Sequence, residues 1–249
     1  MAARDDAPFA GRIALVTGAS GGIGAELSRR LAEAGAAVAL HYASNEAAAS
    51  GLAAEIESAG GRALAFGADL VDASAPERLV GEVERELGPV DVLAANAGLS
   101  RPDSWEDVDA QAFDETLAVN LRAPYLLARR VLPGMRERGY GRILFTSSVA
   151  ALTGGIVGPH YASSKAGLHG LTHFLASRVA ADGVTVNAIA PALIEDTGML
   201  PGDPGELRKA VPVGRLGRPP EVADLALAML RNGYLTSKVV TLDGGIHPR

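Results

Sequence analysis

Three features of the sequence predict a doubly wound α/β fold around a parallel sheet. Short apolar runs recur along the chain between longer stretches with a helical pattern, the order of repeated βαβ units. The runs are apolar throughout, as strands are when helices cover both faces of their sheet. A glycine-rich turn joins the first run to the first helical stretch.

The elements follow in order. Arg12 to Thr17 reads as the first strand, and the helix after the turn runs through Glu26 to Ala34 and stops at Gly35. Ala36 to Leu40 is the second strand. Asn45 is placed to cap a helix that reaches about Ser58 and ends at Gly60-Gly61. Arg62 to Phe66 is the third strand, followed by a helix from about Pro76 to Leu87 that ends at Gly88-Pro89. Asp91 to Ala94, Arg142 to Thr146, Val184 to Ala188 and Val239 to Leu242 complete the strands. Long helices are expected around 111–138 and 161–181. No linker, repeat or low-complexity tract divides the chain, so residues 1–249 read as one domain.

Composition removes several classes of function. With 249 residues, 48% of them hydrophobic and 21% charged, the chain has the make-up of a globular protein large enough to need no staple. It has no cysteine, which excludes disulfides, Cys-ligated metals and a thiol nucleophile. A net charge of −6 argues against non-specific nucleic-acid binding. No apolar run approaches the ~18–20 residues of a membrane span, and MAARDDAPFAGR lacks the apolar stretch of a signal peptide. No membrane partner and a cytoplasmic location are expected.

The turn Thr17-Gly18-Ala19-Ser20-Gly21-Gly22-Ile23-Gly24 can carry chemistry. Gly18, Gly22 and Gly24 let the backbone turn tightly and approach a pyrophosphate, and the helix N-terminus offers free N–H groups around Ser20 and Ile23. No Gly-Lys-Ser/Thr follows, so this is not a P-loop. Further on, Tyr161 and Lys165 stand i, i+4 on one helix face. A nearby ammonium favours the phenolate and is expected to lower the tyrosine pKa. Taken alone, a packed tyrosine beside an exposed lysine is the plainer reading. Ser148, however, follows the strand ending at Thr146, and the C-terminal ends of parallel strands face the ligand crevice. Side chains alternate at a strand end, so only one of Ser147 and Ser148 can face that crevice.

With its TGxxxGxG spacing, the chain resembles the single-domain branch of the short-chain dehydrogenase/reductase family, and the likeness recurs to Ile194 and beyond. Asp69-Leu70 matches the family's adenine-contacting position. Asn96-Ala97-Gly98 matches its Asn-Ala-Gly motif, with Ala95 where a first Asn is commoner. Asn120, Ser148, Tyr161 and Lys165 match its catalytic four, and Pro191 and Ile194 the stretch beside the nicotinamide carboxamide. The resemblance implies a single-domain Rossmann fold with about seven strands, and hydride transfer between a nicotinamide cofactor and a carbonyl or alcohol. Tyr161 would be the general acid/base, Ser148 the carbonyl anchor and Lys165 the holder of the ribose. Asn120 would hold a water that links Lys165 to solvent. It further implies a homotetramer and a substrate loop at about 193–215.

The pattern is closest to that of 3-oxoacyl-carrier-protein reductases. The expected activity is reduction of a ketone or 3-oxoacyl group to a secondary alcohol, on a small ketone, alcohol or acyl thioester. The alternatives are a carrier-protein reductase of fatty-acid synthesis, an NAD-dependent alcohol or sugar dehydrogenase, or a non-catalytic dinucleotide sensor. NADP(H) is expected over NAD(H), because the end of the second strand, His41-Tyr42-Ala43-Ser44-Asn45, has no acidic residue. Tyr42, Ser44 and Asn45 are therefore placed with the cofactor-binding residues.

Other features read as packing or surface. His169 and His173 have i, i+4 spacing but no HExxH glutamate, so no metal is expected. His160 reads equally as a pocket wall or a bystander. The arginines at 129, 130, 136, 138 and 142 read as a solvated helix end before a carrier-docking patch, and Asp182 is expected beside the pocket mouth, where it would repel an acidic carrier. Trp105 and Phe113 are expected to pack between a loop and the long helix.

Overall fold

Seven strands form one parallel sheet: β1 (Ile13–Val16), β2 (Ala37–Tyr42), β3 (Arg62–Gly67), β4 (Val92–Ala95), β5 (Gly141–Thr146), β6 (Val184–Pro191) and β7 (Val239–Leu242). Their order is β3-β2-β1-β4-β5-β6-β7 in the computed structural model, which describes residues 7–200 and 202–247. Residues 1–6, Pro201 within the expected substrate loop, Pro248 and Arg249 lie outside the described residues. Strand β1 pairs with both β2 and β4. The chain therefore reverses direction across the sheet at β1, and a crevice opens there beyond the C-terminal strand ends.

Alternate residues of each strand enter opposite layers. Leu15, Leu93, Ile143 and Phe145 pack on one face, beneath α3 (Ala75–Glu86), α5 (Ala123–Glu137) and α7 (Pro159–Val179). Val16, Val92, Leu144 and Ile189 pack on the other, beneath α1 (Gly22–Glu33), α2 (Glu46–Ser58) and α9 (Pro219–Arg231). Two covered faces explain strands that are largely apolar on both sides rather than alternating. Asn45 caps α2 as expected, accepting the Ala48 N–H at 3.2 Å.

The long helix expected around 111–138 is interrupted. It consists of α4 (Ala110–Leu117), a π-helical turn (Ala118–Arg122) and α5. Shorter helices α6 (Ala150–Thr153) and α8 (Pro204–Lys209) lie in the connections. Trp105 is 77% exposed, so it does not pack under the loop, whereas Phe113 is half-buried. No helix among the described residues is long and apolar enough to cross a membrane.

Candidate active site

A cavity of about 820 Å³ lies at the C-terminal edge of the sheet. Its floor is the glycine-rich turn between β1 and α1. Gly18 adopts φ +66°, and a Cβ there would stand 2.9 Å from the Ala97 Cα. A Cβ on Gly24 would overlap the Gly18 carbonyl oxygen and stand 2.7 Å from the Asn96 Nδ2. Both positions accept only glycine, and the bare backbone leaves a cradle suited to a pyrophosphate. Gly18, Ser20, Gly22 and Ile23 line the cavity, while Gly24 lies behind them.

The turn is tied to β4. Thr17, 1% exposed, offers its Oγ1 to the N–H groups of Asn96 and Ala97 at 3.0 and 2.9 Å. The Asn96 carboxamide returns a bond to the Thr17 carbonyl at 3.1 Å and accepts one from Thr146 Oγ1 at 3.3 Å. Asn96, Ala97 and Gly98 thus line the cavity in one fixed piece. At the far end, Asp69, Leu70 and Ser44 also line it. Tyr42 and Asn45, placed with the cofactor residues from the sequence, do not. The Tyr42 ring lies where a Gly67 side chain would be, and the Asn45 carboxamide is occupied as the cap of α2. Ala43, which sequence reasoning passed over, lines the wall beside Ser44.

Ser148, Tyr161 and Lys165 meet on the wall formed by β5 and α7. The Ser148 Oγ accepts the Ala150 N–H at 3.1 Å, and Ser148 shares the cavity wall with Tyr161. Ser147 also borders the cavity, but it is buried and its hydroxyl is occupied, donating to the Lys165 carbonyl at 3.0 Å and meeting His169 Nε2 at 2.9 Å. Lys165, 2% exposed, donates from Nζ to the Thr146 carbonyl at 2.7 Å and lies 5.6 Å from the Tyr161 ring centre.

Electrostatics here differ from the sequence expectation. Burial raises the Tyr161 pKa above its ordinary value, and the Ser148 hydroxyl, not the lysine, opposes that rise. Burial lowers Lys165 to about 8. Desolvation thus favours the neutral form of both groups.

Asn120 sits in the π-helical turn, fully buried. Its Oδ1 accepts the Leu99 N–H at 2.7 Å, and its Nδ2 donates to the Leu99 carbonyl and Ser164 Oγ, each at 3.0 Å. The side chain is therefore fully engaged by protein. In α-helical register its backbone carbonyl would accept from residue 124, a proline without an N–H.

Pro191 and Ile194 line the cavity from the end of β6. From 193–215, Thr197, Met199, Leu200, Leu207 and Ala210 add an apolar wall, and Thr197 lies over Gly22. His160 is buried, with no partner for Nδ1, and is not among the lining residues. His169 and His173 each meet a serine, Ser147 and Ser237.

The arginine-rich helix end lies elsewhere. Helices α5 and α7 deliver the chain to the N-terminal ends of β5 and β6, the sheet edge opposite the cavity. Asp182 there binds Arg136 at 2.6 Å, so within one chain it is not beside the cavity mouth as the sequence led us to expect. Arg130 is paired with Glu77 and Glu84, Arg138 with Asp91.

Gly24→Ala tests the cradle. The new methyl forces the turn away from Asn96, so dinucleotide binding measured by calorimetry should weaken at least ~10-fold, about 1.4 kcal/mol. Unchanged affinity would show that the turn does not hold the nucleotide.

Comparison with known proteins agrees with this geometry. The family model "short chain dehydrogenase" matches residues 12–204. The chain is 37% identical over 242 residues to nodulation protein G of Azospirillum brasilense, covering 95% of this chain and 98% of that one. It is 36% identical over 243 residues to an acetoacetyl-CoA reductase of Allochromatium vinosum, covering 94% and 98%. Its fold matches the crystal structure of a blue fluorescent protein from a metagenomic library in complex with NADPH, with a TM-score of 0.90, 34% identity and coverage of 96% and 99%. The protein whose sheet, glycine-rich turn and Ser148, Tyr161 and Lys165 are described above belongs to the short-chain dehydrogenase family.

Proposed function

We propose that the chain is an NADP(H)-dependent oxidoreductase that reduces a ketone or a small 3-oxoacyl group to a secondary alcohol. The observation that carries this reading is one cavity with a glycine cradle at one end and Ser148, Tyr161 and Lys165 on its wall. The intact quartet with Asn120 weighs against a non-catalytic sensor. Support for NADP(H) comes from the lack of an acidic residue at the end of β2, where Ala43 and Ser44 line the wall, and from the NADPH-bound structural relative.

A bound nicotinamide cofactor supplies the hydride. Ser148 hydrogen-bonds the substrate carbonyl, and Tyr161 delivers its hydroxyl proton to the oxygen as negative charge builds there. Lys165 holds the cofactor ribose and, as an ammonium, stabilises the phenolate left behind. The Asn120 carbonyl, with Pro124 at its α-register donor position, holds a water that returns the proton through Lys165. Leu99, Val157, Met199 and Leu207 give the substrate end an apolar lining, with Arg101 at its edge. The 193–215 segment is the substrate loop.

The acetoacetyl-CoA reductase among the relatives supports a short 3-oxoacyl thioester, and the distance of the helix-end arginines from the cavity supports activity without a carrier protein. Exposed Tyr125 on α5 and Phe174 on α7 support a homotetramer formed through those helices.

A panel of ketones and 3-oxoacyl thioesters assayed with both cofactors tests the reading. NADPH should exceed NADH by at least ~10-fold in kcat/KM; a 2′-phosphate contact worth about 1.4 kcal/mol suffices. A preference for NADH would defeat the cofactor assignment. Tyr161→Phe removes only the hydroxyl, so fold and cofactor affinity should persist while turnover drops ~10²–10⁴-fold. Activity within a few fold of the parent would remove Tyr161 from the mechanism.

The pH dependence has a definite sign. Reduction needs the phenol protonated and the lysine charged. Tyr161 stays protonated because its pKa is raised, whereas Lys165 loses its charge as pH rises through about 8. The kcat/KM profile for reduction should therefore fall on the alkaline side of that value, and a profile level to pH ~10 would show that no ammonium is required.

A further inference from the structure

His41, on β2, is 1% exposed and shares a sheet face with Ala39. Its Nε2 lies 2.9 Å from the Ala68 carbonyl oxygen, which can only accept, so Nε2 carries the proton. Its Nδ1 then has a free lone pair, and it accepts the Gly18 N–H at 3.2 Å. The two partners dictate one neutral tautomer. The His41 carbonyl also accepts the Ala19 N–H at 2.9 Å. One residue thus ties two successive amides of the glycine-rich turn to β2, and the segment after β3 to both.

No charged side chain among the described residues pairs with the imidazole. Strand β1 brings no ionisable side chain, and Arg62 of β3, at the strand's far end, donates to the Glu86 carbonyl. Asp69 accepts the Val71 N–H, Asp72 pairs with Arg78, and Arg122 donates to the Val71 carbonyl. On α3, Glu77 and Glu84 are taken by Arg130; on α1, Glu26 is taken by Arg29 and Arg30. Tyr42 lays its ring and hydroxyl against Gly67. Lys165 and Arg101, which also line the cavity, are cations and offer no counter-charge either. Burial holds the imidazole below its ordinary pKa, against the pull of the Ala68 carbonyl.

We propose that neutral His41 is a positioning residue of the cofactor cradle, and that protonating it weakens cofactor binding. It acts through Gly18. A proton on Nδ1 sets an N–H against the Gly18 N–H, so the peptide that shapes the cradle loses its acceptor. This rests on the reading of the cavity as a dinucleotide site.

NADPH binding, followed by its fluorescence at pH 8 and pH 5, tests both ideas separately. The comparison is wild type against His41→Asn, whose carboxamide accepts and donates without titrating. The cofactor's 2′-phosphate, which titrates near pH ~6 like other phosphate monoesters, and the other histidines contribute equally to both proteins. Between pH 8 and 5 the wild-type Kd should rise about tenfold more than the variant's, the effect of one lost hydrogen bond and an opposed pair of donors. Equal pH dependence would overturn the proposal. Failure of the wild type to bind NADPH at pH 8 would instead overturn the dinucleotide reading, and the proposal with it. Long-range proton–nitrogen NMR of the unliganded wild type gives a check independent of the variant. The Nε2–H tautomer at pH 8 supports the proposal, and the Nδ1–H tautomer overturns it.

Discussion

The side chain of Asn120 is the joint on which the site depends. Its carboxamide makes three bonds: two to Leu99 in the loop after β4 and one to Ser164 of α7. Ser164 in turn donates to the Tyr161 carbonyl at 2.7 Å. The loop that ends the cradle, the π-helical turn and the helix bearing Tyr161 and Lys165 therefore cannot shift independently. A buried amide with both N–H donors and its oxygen engaged is costly to disturb, because any motion strands a polar group away from water. The crowding is visible at Gly98, where a Cβ would stand 3.4 Å from both Asn120 Oδ1 and Lys165 Nζ.

Charge is handled differently at the two edges of the sheet. At the N-terminal edge, Asp91 accepts the Ile13 N–H and faces Arg12 and Arg138, while Arg12 and Arg142 stack on Tyr140. Those charges are spent on one another. At the C-terminal edge Lys165 has a carbonyl dipole for a partner, and no carboxylate pairs with it among the described residues. Its field is left for whatever enters, in a setting where low polarity strengthens each Coulombic contact.

The strands and the glycine-rich turn were legible because each leaves a local mark: an unbroken apolar run, a helix stop, a glycine where a side chain would collide. Strand alternation allowed only one of Ser147 and Ser148 to face the crevice, and the choice of Ser148 rested on the family resemblance. Other features leave no such mark. The apolar periodicity of 111–138 runs on across the π-helical turn, so only Pro124 hinted at the break. Helix α9 was missed although Pro219-Pro220-Glu221 opens it and Val222, Ala223, Ala226, Met229 and Leu230 recur at helical spacing. Tyr42 and Asn45 were assigned by their place after β2, but side-chain direction follows from tertiary contacts that sequence order does not encode. The same holds for Thr17 and His41, whose roles depend on residues 79 and 23 positions away. The tyrosine pKa was misjudged because spacing reveals a nearby cation but not the depth of burial.

The cavity is assembled from segments scattered along the chain, from Gly18 to Ile246. During synthesis, β1 and its glycine-rich turn emerge early, yet the wall at 193–210 arrives only after β6 and Ile246 only after β7. Until then the cradle has a floor and no lid. A bound cofactor consequently reports on the whole sheet, and by mass action it stabilises the chain as a unit, by about 2.7 kcal/mol when present at 100 times its Kd. The supply of dinucleotide around it would then govern how long the finished molecule survives as well as how fast it turns over.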